Sequence, residues 1–213
     1  MIVDRIQAHL EAIYGLECGQ RASAFVVGPA DAKALGGTGR AEEELLVSEE
    51  EDALSVALYF SPQLLERLGR FEHLPAAKLM GRMLGSYCEL AEGVSHFVYL
   101  LQVAAQTRRV SLLELETQAE VDKFAICVLA RWADGERWAR ELLTRLFDRV
   151  SFRSGLSVAE AWRYAEANRV AKRYCSRLLR QVAERRLEPF LAELRRSYRL
   201  GAQAKLQYFA RAA

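Results

Sequence analysis

The spacing of apolar residues changes near residue 60 of this 213-residue chain. Before that point, Ile2, Ile6 and Leu10 recur at intervals of four and predict an opening amphipathic helix. Short apolar runs then predict β-strands, and an acidic connection between the last two predicts a hairpin with a solvated tip. The runs are SAFVVG (23–28), ELLVS (44–48) and ALSVALYF (53–60), and the acidic tip is EEED (49–52).

Beyond residue 60, apolar residues follow helical spacing almost to the end of the chain. Ser-Pro at 61–62 and capping-box patterns at 111–114 and 157–160 are start signals of helices. The predicted helices cover about 76–106, 112–134, 136–150 and 158–187, with shorter segments at 190–199 and 202–211 after an interruption at Pro189. This pattern predicts an α+β fold that is predominantly α. A small N-terminal helix with antiparallel strands or a hairpin (1–60) is fused to an α-helical bundle (61–213) in one compact unit.

The stretch ELAEGVSHF (89–97) brings two carboxylates and a histidine onto one face of its predicted helix. At 100° per residue, Glu89, Glu92 and His96 fall opposite the apolar face, so we expect a solvated polar stripe. From Phe97 onward the helix is apolar on nearly all sides, which predicts burial on all sides. His96 therefore lies where the solvated stripe meets the buried half of the helix.

The next helix, predicted at 112–134, has two apolar faces and is expected to lie between neighbouring helices. If it runs antiparallel to its predecessor, its acidic residues come level with His96. The residues expected to converge are Glu92, His96, Glu116, Glu120 and Asp122. Since buried charges require partners, the first interpretation is a structural polar layer or solvated stripe in which His96 contacts a carboxylate.

Two chemical alternatives stay open for the same layer. The first is a metal site with Glu92, His96, Glu116 and Glu120 as ligands, although its Glu-x-x-x-His spacing departs from the Glu-x-x-His of carboxylate metal sites in helical bundles. The second is an acid–base site with His96, Glu92 and Glu120 as its reacting groups. No cofactor is predicted, because the glycine-rich stretch LGGTGRAEEE (35–44) lacks the Gly-Lys-Ser/Thr ending of a phosphate loop.

Charge is distributed unevenly along the chain, although the net charge is only +2. Residues 1–60 contain 4 Lys/Arg and 11 Asp/Glu, whereas residues 160–213 contain 13 Lys/Arg and 5 Asp/Glu. One face of the predicted 158–187 helix carries a basic stripe, which consists of Arg169, Lys172, Arg173, Arg177 and Arg180. Such a stripe could bind the phosphates of a nucleic acid or an acidic partner protein, or could be an ordinary solvated helix face.

Composition limits the functional classes. Apolar residues make up 51% of the chain, and the most apolar run (97–105) is much shorter than the ~20 residues of a transmembrane helix. Four isolated cysteines form no zinc or disulfide pattern and predict a reducing, cytoplasmic location.

We expect a cytoplasmic adaptor or regulatory protein that binds a protein partner or itself, with no membrane contact and no catalytic activity. The alternatives are a nucleic-acid-associated protein that uses the basic stripe, and an enzyme or metalloprotein that uses the Glu/His layer.

Overall fold

Helical periodicity in the long C-terminal part and β-branched runs near the N-terminus produce a helical bundle with a small sheet. The structure is a computed structural model that describes residues 1–39, 41–50, 53–150 and 155–211; the side chains of residues 49, 50, 53 and 54 lie outside this description. Within these ranges the chain forms nine α-helices and one three-stranded sheet, which confirms the predicted α+β, predominantly α fold class. None of the described helices combines the length and the apolar character that a membrane span requires.

The order of elements is helix, strand, helix, two strands and then seven helices. The helices are α1 (Ile2–Tyr14), α2 (Pro29–Ala34), α3 (Pro62–Gly69), α4 (Ala76–Ala104), α5 (Leu112–Ala130), α6 (Gly135–Leu143), α7 (Val158–Ala183), α8 (Leu187–Tyr198) and α9 (Ala202–Ala210). The strands are β1 (Val26–Val27), β2 (Glu43–Glu50) and β3 (Ala53–Phe60). β3 is central and pairs parallel with β1 and antiparallel with β2. The two predicted hairpin strands are present, whereas residues 51 and 52 of the acidic tip lie outside the described residues.

Several element boundaries differ from the prediction. The run 23–28 contains a 3₁₀ turn (Ala22–Phe25), which leaves a strand of only two residues. The helix predicted at 136–150 changes from α to π geometry over Thr144–Asp148. Pro189 does not interrupt a helix, because it lies in the first turn of α8, where a backbone N–H has no helical acceptor to lose.

The serines that were predicted to start helices do so. Ser61, Ser111 and Ser157 each accept a hydrogen bond from the backbone N–H three residues further on. At α7, the Glu160 carboxylate completes the capping box by accepting from the Ser157 N–H at 2.8 Å. At α5, the Glu114 carboxylate instead turns inward and accepts hydrogen bonds from Tyr99 (2.6 Å) and Arg108 (2.8 Å), so only half of that predicted capping box forms.

α5 lies in the middle of the bundle, as its two apolar faces predict, and packs against α4, α6 and α7. One side of α5 carries a buried network of hydrogen bonds, the Asp122–Lys205 network. The Asp122 carboxylate accepts from the Ser95 hydroxyl at 2.5 Å and from the Gln118 amide at 2.7 Å. The Lys205 ammonium group, on α9, donates to Tyr99 at 2.6 Å and to Gln118 at 2.7 Å. This network therefore ties α4, α5 and α9 together inside the core.

The sheet covers the face of α4 that helical periodicity assigns to solvent. A Cβ atom on Gly93 would lie 2.6 Å from the Phe60 ring and 2.9 Å from the Glu43 carboxylate, so the absent side chain lets both strands approach the helix. His96, one turn further along α4, is only 5% exposed as a result. The predicted solvated stripe is therefore wrong at His96, because periodicity within one helix does not show which face a distant sheet will cover.

Gly93 should be required for the contact between sheet and helix. We expect Gly93→Ala to lower the free energy of unfolding by about 1–3 kcal/mol, because overpacking against Phe60 outweighs the helix propensity that alanine gains. Gly85→Ala, in the same helix, is the matched control, because a Cβ there meets nothing within 4 Å and should stabilise the protein by up to about 1 kcal/mol. Urea denaturation measures both values, and equal stabilisation by the two alanines would refute the close approach.

Burial lowers the pKa of Lys205 to about 7, and the charges of Glu114 and Asp122 offset this only in part. In the unfolded chain the amine keeps a pKa of about 10.4, so between these two values the unfolded state binds more protons. Stability should therefore rise with pH across this window, by at most about 1.4 kcal/mol per pH unit from this residue. Unfolding free energies at about pH 7 and about pH 9 should show this rise for the native chain relative to Lys205→Met. A difference that falls with pH would contradict the assignment.

Candidate metal centre

A cleft with a volume of about 1340 Å³ opens along the groove between α4 and α5, beneath β2. All four acid or imidazole side chains that the sequence proposes as metal ligands line this cleft: Glu92, His96, Glu116 and Glu120. Asp122, the fifth residue expected to converge on this layer, belongs to the Asp122–Lys205 network on the other side of α5. The predicted layer is thus split between a closed network and an open cleft.

Three of these side chains meet at the floor of the cleft. Glu92 and His96 are four residues apart on α4 and so share a face, and Glu116 reaches them from α5. One ligand atom from each residue lies within 4.8 Å of the other two. Two carboxylates and one imidazole at this separation form a group that could hold one metal ion. Among the described residues, this group meets the geometric requirement for such a site.

His96 connects the helices to the sheet. Its Nε2 atom lies 3.6 Å from a Glu116 oxygen, and its Nδ1 atom lies 3.8 Å from a Glu43 oxygen of β2. Both separations exceed hydrogen-bond length. Burial by itself lowers the pKa of His96, but the Glu116 and Glu43 carboxylates outweigh burial and raise this pKa well above its ordinary value. The imidazole is therefore held between two carboxylates that attract a cation.

Lys123 of α5 neutralises two of the carboxylates that line the cleft. Its Nζ atom lies 2.7 Å from a Glu92 oxygen and 3.0 Å from a Glu120 oxygen. Burial raises the pKa of Glu92, but the charges of Lys123 and His96 outweigh burial and leave this pKa below its ordinary value. Burial dominates at Glu120, where the pKa is raised. Glu120 thus belongs to the cleft but pairs with Lys123 and stands apart from the group of three.

Buried polar atoms that lack a hydrogen-bond partner concentrate around this cleft. In the described part of the chain, these atoms are one oxygen each of Glu43, Glu89 and Glu120, Nε2 of His96, Nε of Arg163 and the hydroxyl of Tyr198. The first four residues in this set line the cleft, and Arg163 Nε faces Glu116 at 3.6 Å. Since buried polar groups are normally hydrogen-bonded, this concentration is typical of a binding site and not of a closed structural layer.

The acidic groups of the cleft outnumber its fixed cations. The buried or nearly buried carboxylates are those of Glu43, Glu92, Glu116 and Glu120, and the cations beside them are Lys123 and Arg163. With His96 protonated, as its raised pKa favours, these groups carry an excess of one negative charge, and this excess becomes two when the imidazole loses its proton to bind a metal ion. Sequence reasoning missed Glu43 and Arg163 here. The sequence does contain a pattern that points to Glu43. This residue shares one face of β2 with the apolar residues Leu45 and Val47, and that face turns toward the cleft.

The cations of the basic stripe have partners within the chain. Arg169 pairs with Glu166 and Lys172 pairs with Asp148. Arg173 and Arg177 donate to backbone carbonyls at the end of α9, and Arg180 pairs with Glu184. The side chains of Arg169, Lys172 and Arg180 stay 46%, 42% and 80% exposed in these contacts, whereas Arg177 is partly buried. Their proposed role in binding a nucleic acid or a protein stays a prediction.

Comparison with known proteins provides no relative from which a function could be inferred. No family model matches the chain, and neither a curated protein nor a solved structure matches it. Function is therefore inferred from the geometry of the cleft.

Lys123 should be essential to the stability of the cleft. We expect Lys123→Met to lower the free energy of unfolding by about 3–5 kcal/mol, because Glu92 and Glu120 lose their buried cation. Arg180→Met is the matched control, because its ion pair with Glu184 lies at the surface and should contribute little. Urea denaturation at neutral pH measures both effects, and a Lys123→Met loss no larger than that of the control would show that the pairing is dispensable.

Proposed function

We propose that the protein is a metalloprotein that binds one divalent transition-metal ion through Glu92, His96 and Glu116. The observation that carries this proposal is the buried Nε2 atom of His96, which faces Glu116 at 3.6 Å without a hydrogen bond, in a residue that has one ring nitrogen within 4.8 Å of a ligand atom from each carboxylate. A mixed set of one imidazole and two carboxylates suits Mn²⁺, Fe²⁺ or Zn²⁺ better than the all-oxygen sites that Ca²⁺ and Mg²⁺ prefer.

The surrounding residues support this assignment. Metal-binding histidines commonly donate their second ring N–H to a carboxylate, which fixes the tautomer and the ring orientation. Glu43 is placed for that role, because its carboxylate faces Nδ1 of His96 while Nε2 faces Glu116. Once the imidazole is deprotonated, the charge excess of the carboxylates around His96 over Lys123 and Arg163 equals the charge of the proposed ion. Three protein ligands would also leave coordination positions open toward the cleft, as in catalytic metal sites.

Titration calorimetry and elemental analysis after dialysis should show one equivalent of Mn²⁺, Fe²⁺ or Zn²⁺ per chain. Glu116→Gln keeps the shape of its side chain but loses a charged ligand, and should weaken binding by at least about 100-fold. Glu89→Gln is the matched control, because Glu89 lines the same cleft on the same face of α4 but lies outside the group of three, and its binding should equal that of the native chain.

The second-sphere role of Glu43 requires its own variant. Glu43→Gln should retain the metal stoichiometry but weaken affinity by about 10–100-fold, because the imidazole loses its orienting carboxylate. No binding of any of the three metals by the native chain, or equal losses in Glu116→Gln and Glu89→Gln, would refute the metal site.

The other expectations from sequence stay predictions. These are a cytoplasmic adaptor that binds a protein partner or a second copy of the chain, and a nucleic-acid-associated protein that uses the basic stripe. The free state of all four cysteines is compatible with a reducing cytoplasm. The cleft supports neither of these two functions, and the metalloprotein is therefore preferred.

A further inference from the structure

The polarity of the cleft changes along the two long helices that form its floor. On α4, His96 is followed one and two turns later by Leu100 and Ala104, which also line the cleft. On the antiparallel α5, Leu112 lies one turn before Glu116 and also lines the cleft. The cleft therefore has a polar floor at His96 and apolar walls beyond it, and Arg108 and Arg109 line its rim after Ala104.

The sheet adds further apolar side chains to the cleft. Glu43 of β2 lies 3.8 Å from His96. Leu45 and Val47 follow Glu43 on the same face of the strand and also line the cleft. β2 therefore continues from a carboxylate beside His96 into an apolar part of the wall.

The apolar end opens to solvent. Leu100 and Leu115 are nearly buried in its walls, at 8% and 7% exposed, while Leu112 and Val47 are 60% and 47% exposed. Exposed apolar side chains at the mouth of a mostly apolar channel are typical of a ligand site. From His96 to Ala104 the helix advances about 12 Å, which is long enough for an extended chain of eight carbon atoms.

We propose that this cleft binds a small amphipathic organic acid, whose carboxylate coordinates the metal and whose apolar tail lies along Leu100, Leu112 and Leu115. This inference rests on the proposed function, since the metal supplies the binding partner of the head group. An anionic oxygen donor fits the open coordination positions, whereas an ammonium head group would be repelled by the metal. The tail then covers the exposed apolar wall that the fold leaves without a partner.

The test compares ligands of different tail length on the metal-loaded chain. Octanohydroxamate and acetohydroxamate carry the same metal-binding head group, and octanoate and acetate form a second such pair. We expect the eight-carbon ligand of each pair to bind at least about 30-fold more tightly by titration calorimetry, because about three additional buried methylenes at about 3- to 4-fold each suffice for this gain. Equal affinity within both pairs would refute the channel.

A matched pair of variants locates the tail. Leu112 and Leu187 are both the first residue of a helix and both exposed, at 60% and 37%, but only Leu112 lines the cleft. Leu112→Gln should reduce the advantage of the eight-carbon ligands by about 3- to 10-fold, while Leu187→Gln should leave it unchanged. An unchanged advantage in Leu112→Gln, or an equal reduction in both variants, would overturn the proposed position of the tail.

Metal content measured on the same samples separates the two proposals. If the native chain takes up no metal, the metalloprotein proposal fails and this inference fails with it. If the chain takes up one equivalent but shows no preference for the longer ligands, the metal site stands and only the ligand class is refuted.

Discussion

The close approach of the sheet to α4 at Gly93 is the constraint on which the candidate site depends. A glycine at this position lets Phe60 and Glu43 contact the helix where any Cβ atom would collide with them. That contact buries His96 and brings the Glu43 carboxylate to its imidazole. A face of α4 that would otherwise be solvated is thereby enclosed, and its charged groups must be compensated by one another or by a ligand. The close packing at Gly93 thus encloses a polar face of α4 and makes it part of the candidate site.

α5 carries two buried polar clusters that differ in how completely they are bonded. In the Asp122–Lys205 network, Asp122 accepts hydrogen bonds from Ser95 and Gln118, and Lys205 donates to Tyr99 and Gln118 at 2.6–2.7 Å. In the cleft, the contacts of His96 measure 3.6 and 3.8 Å, and oxygens of Glu43 and Glu120 have no hydrogen bond. The first cluster is explained by stability alone, because its groups satisfy one another. In the cleft, donor and acceptor atoms without hydrogen bonds line one open space, which is the arrangement typical of a ligand site.

Local patterns in the sequence predicted much of the fold. Helices α4, α5 and α7 and the hairpin strands follow from apolar periodicity and serine caps, and the central position of α5 follows from its two apolar faces. Such patterns also brought Glu92, His96 and Glu116 together, because i,i+4 spacing and an antiparallel helix pair fix their relative positions. The exposure of His96 could not be predicted, because it depends on a sheet from a distant segment of the chain. Glu43 and Arg163 were missed because they lie on β2 and α7, which are distant in sequence from α4 and α5. Asp122 is separated from the layer because helical spacing places it on the other side of α5 from Glu116 and Glu120.

The raised pKa of His96 favours a protonated imidazole in the absence of an ion, and the distances in the cleft bear on how well a proton or a metal ion fits between its ligand atoms. A proton shared between His96 and Glu116 requires a nitrogen–oxygen separation of about 2.7–2.9 Å, whereas the observed separation is 3.6 Å. A metal ion with bonds of about 2.0–2.2 Å bridges two ligand atoms that are separated by up to about 4 Å. The ligand atoms of Glu92, His96 and Glu116, all within 4.8 Å of one another, therefore need only a small contraction to bind such an ion. Rotation of two glutamate side chains provides that contraction without moving the helices, since glutamate has three rotatable side-chain bonds. The spacing of the group is thus better matched to an ion at its centre than to hydrogen bonds between its members.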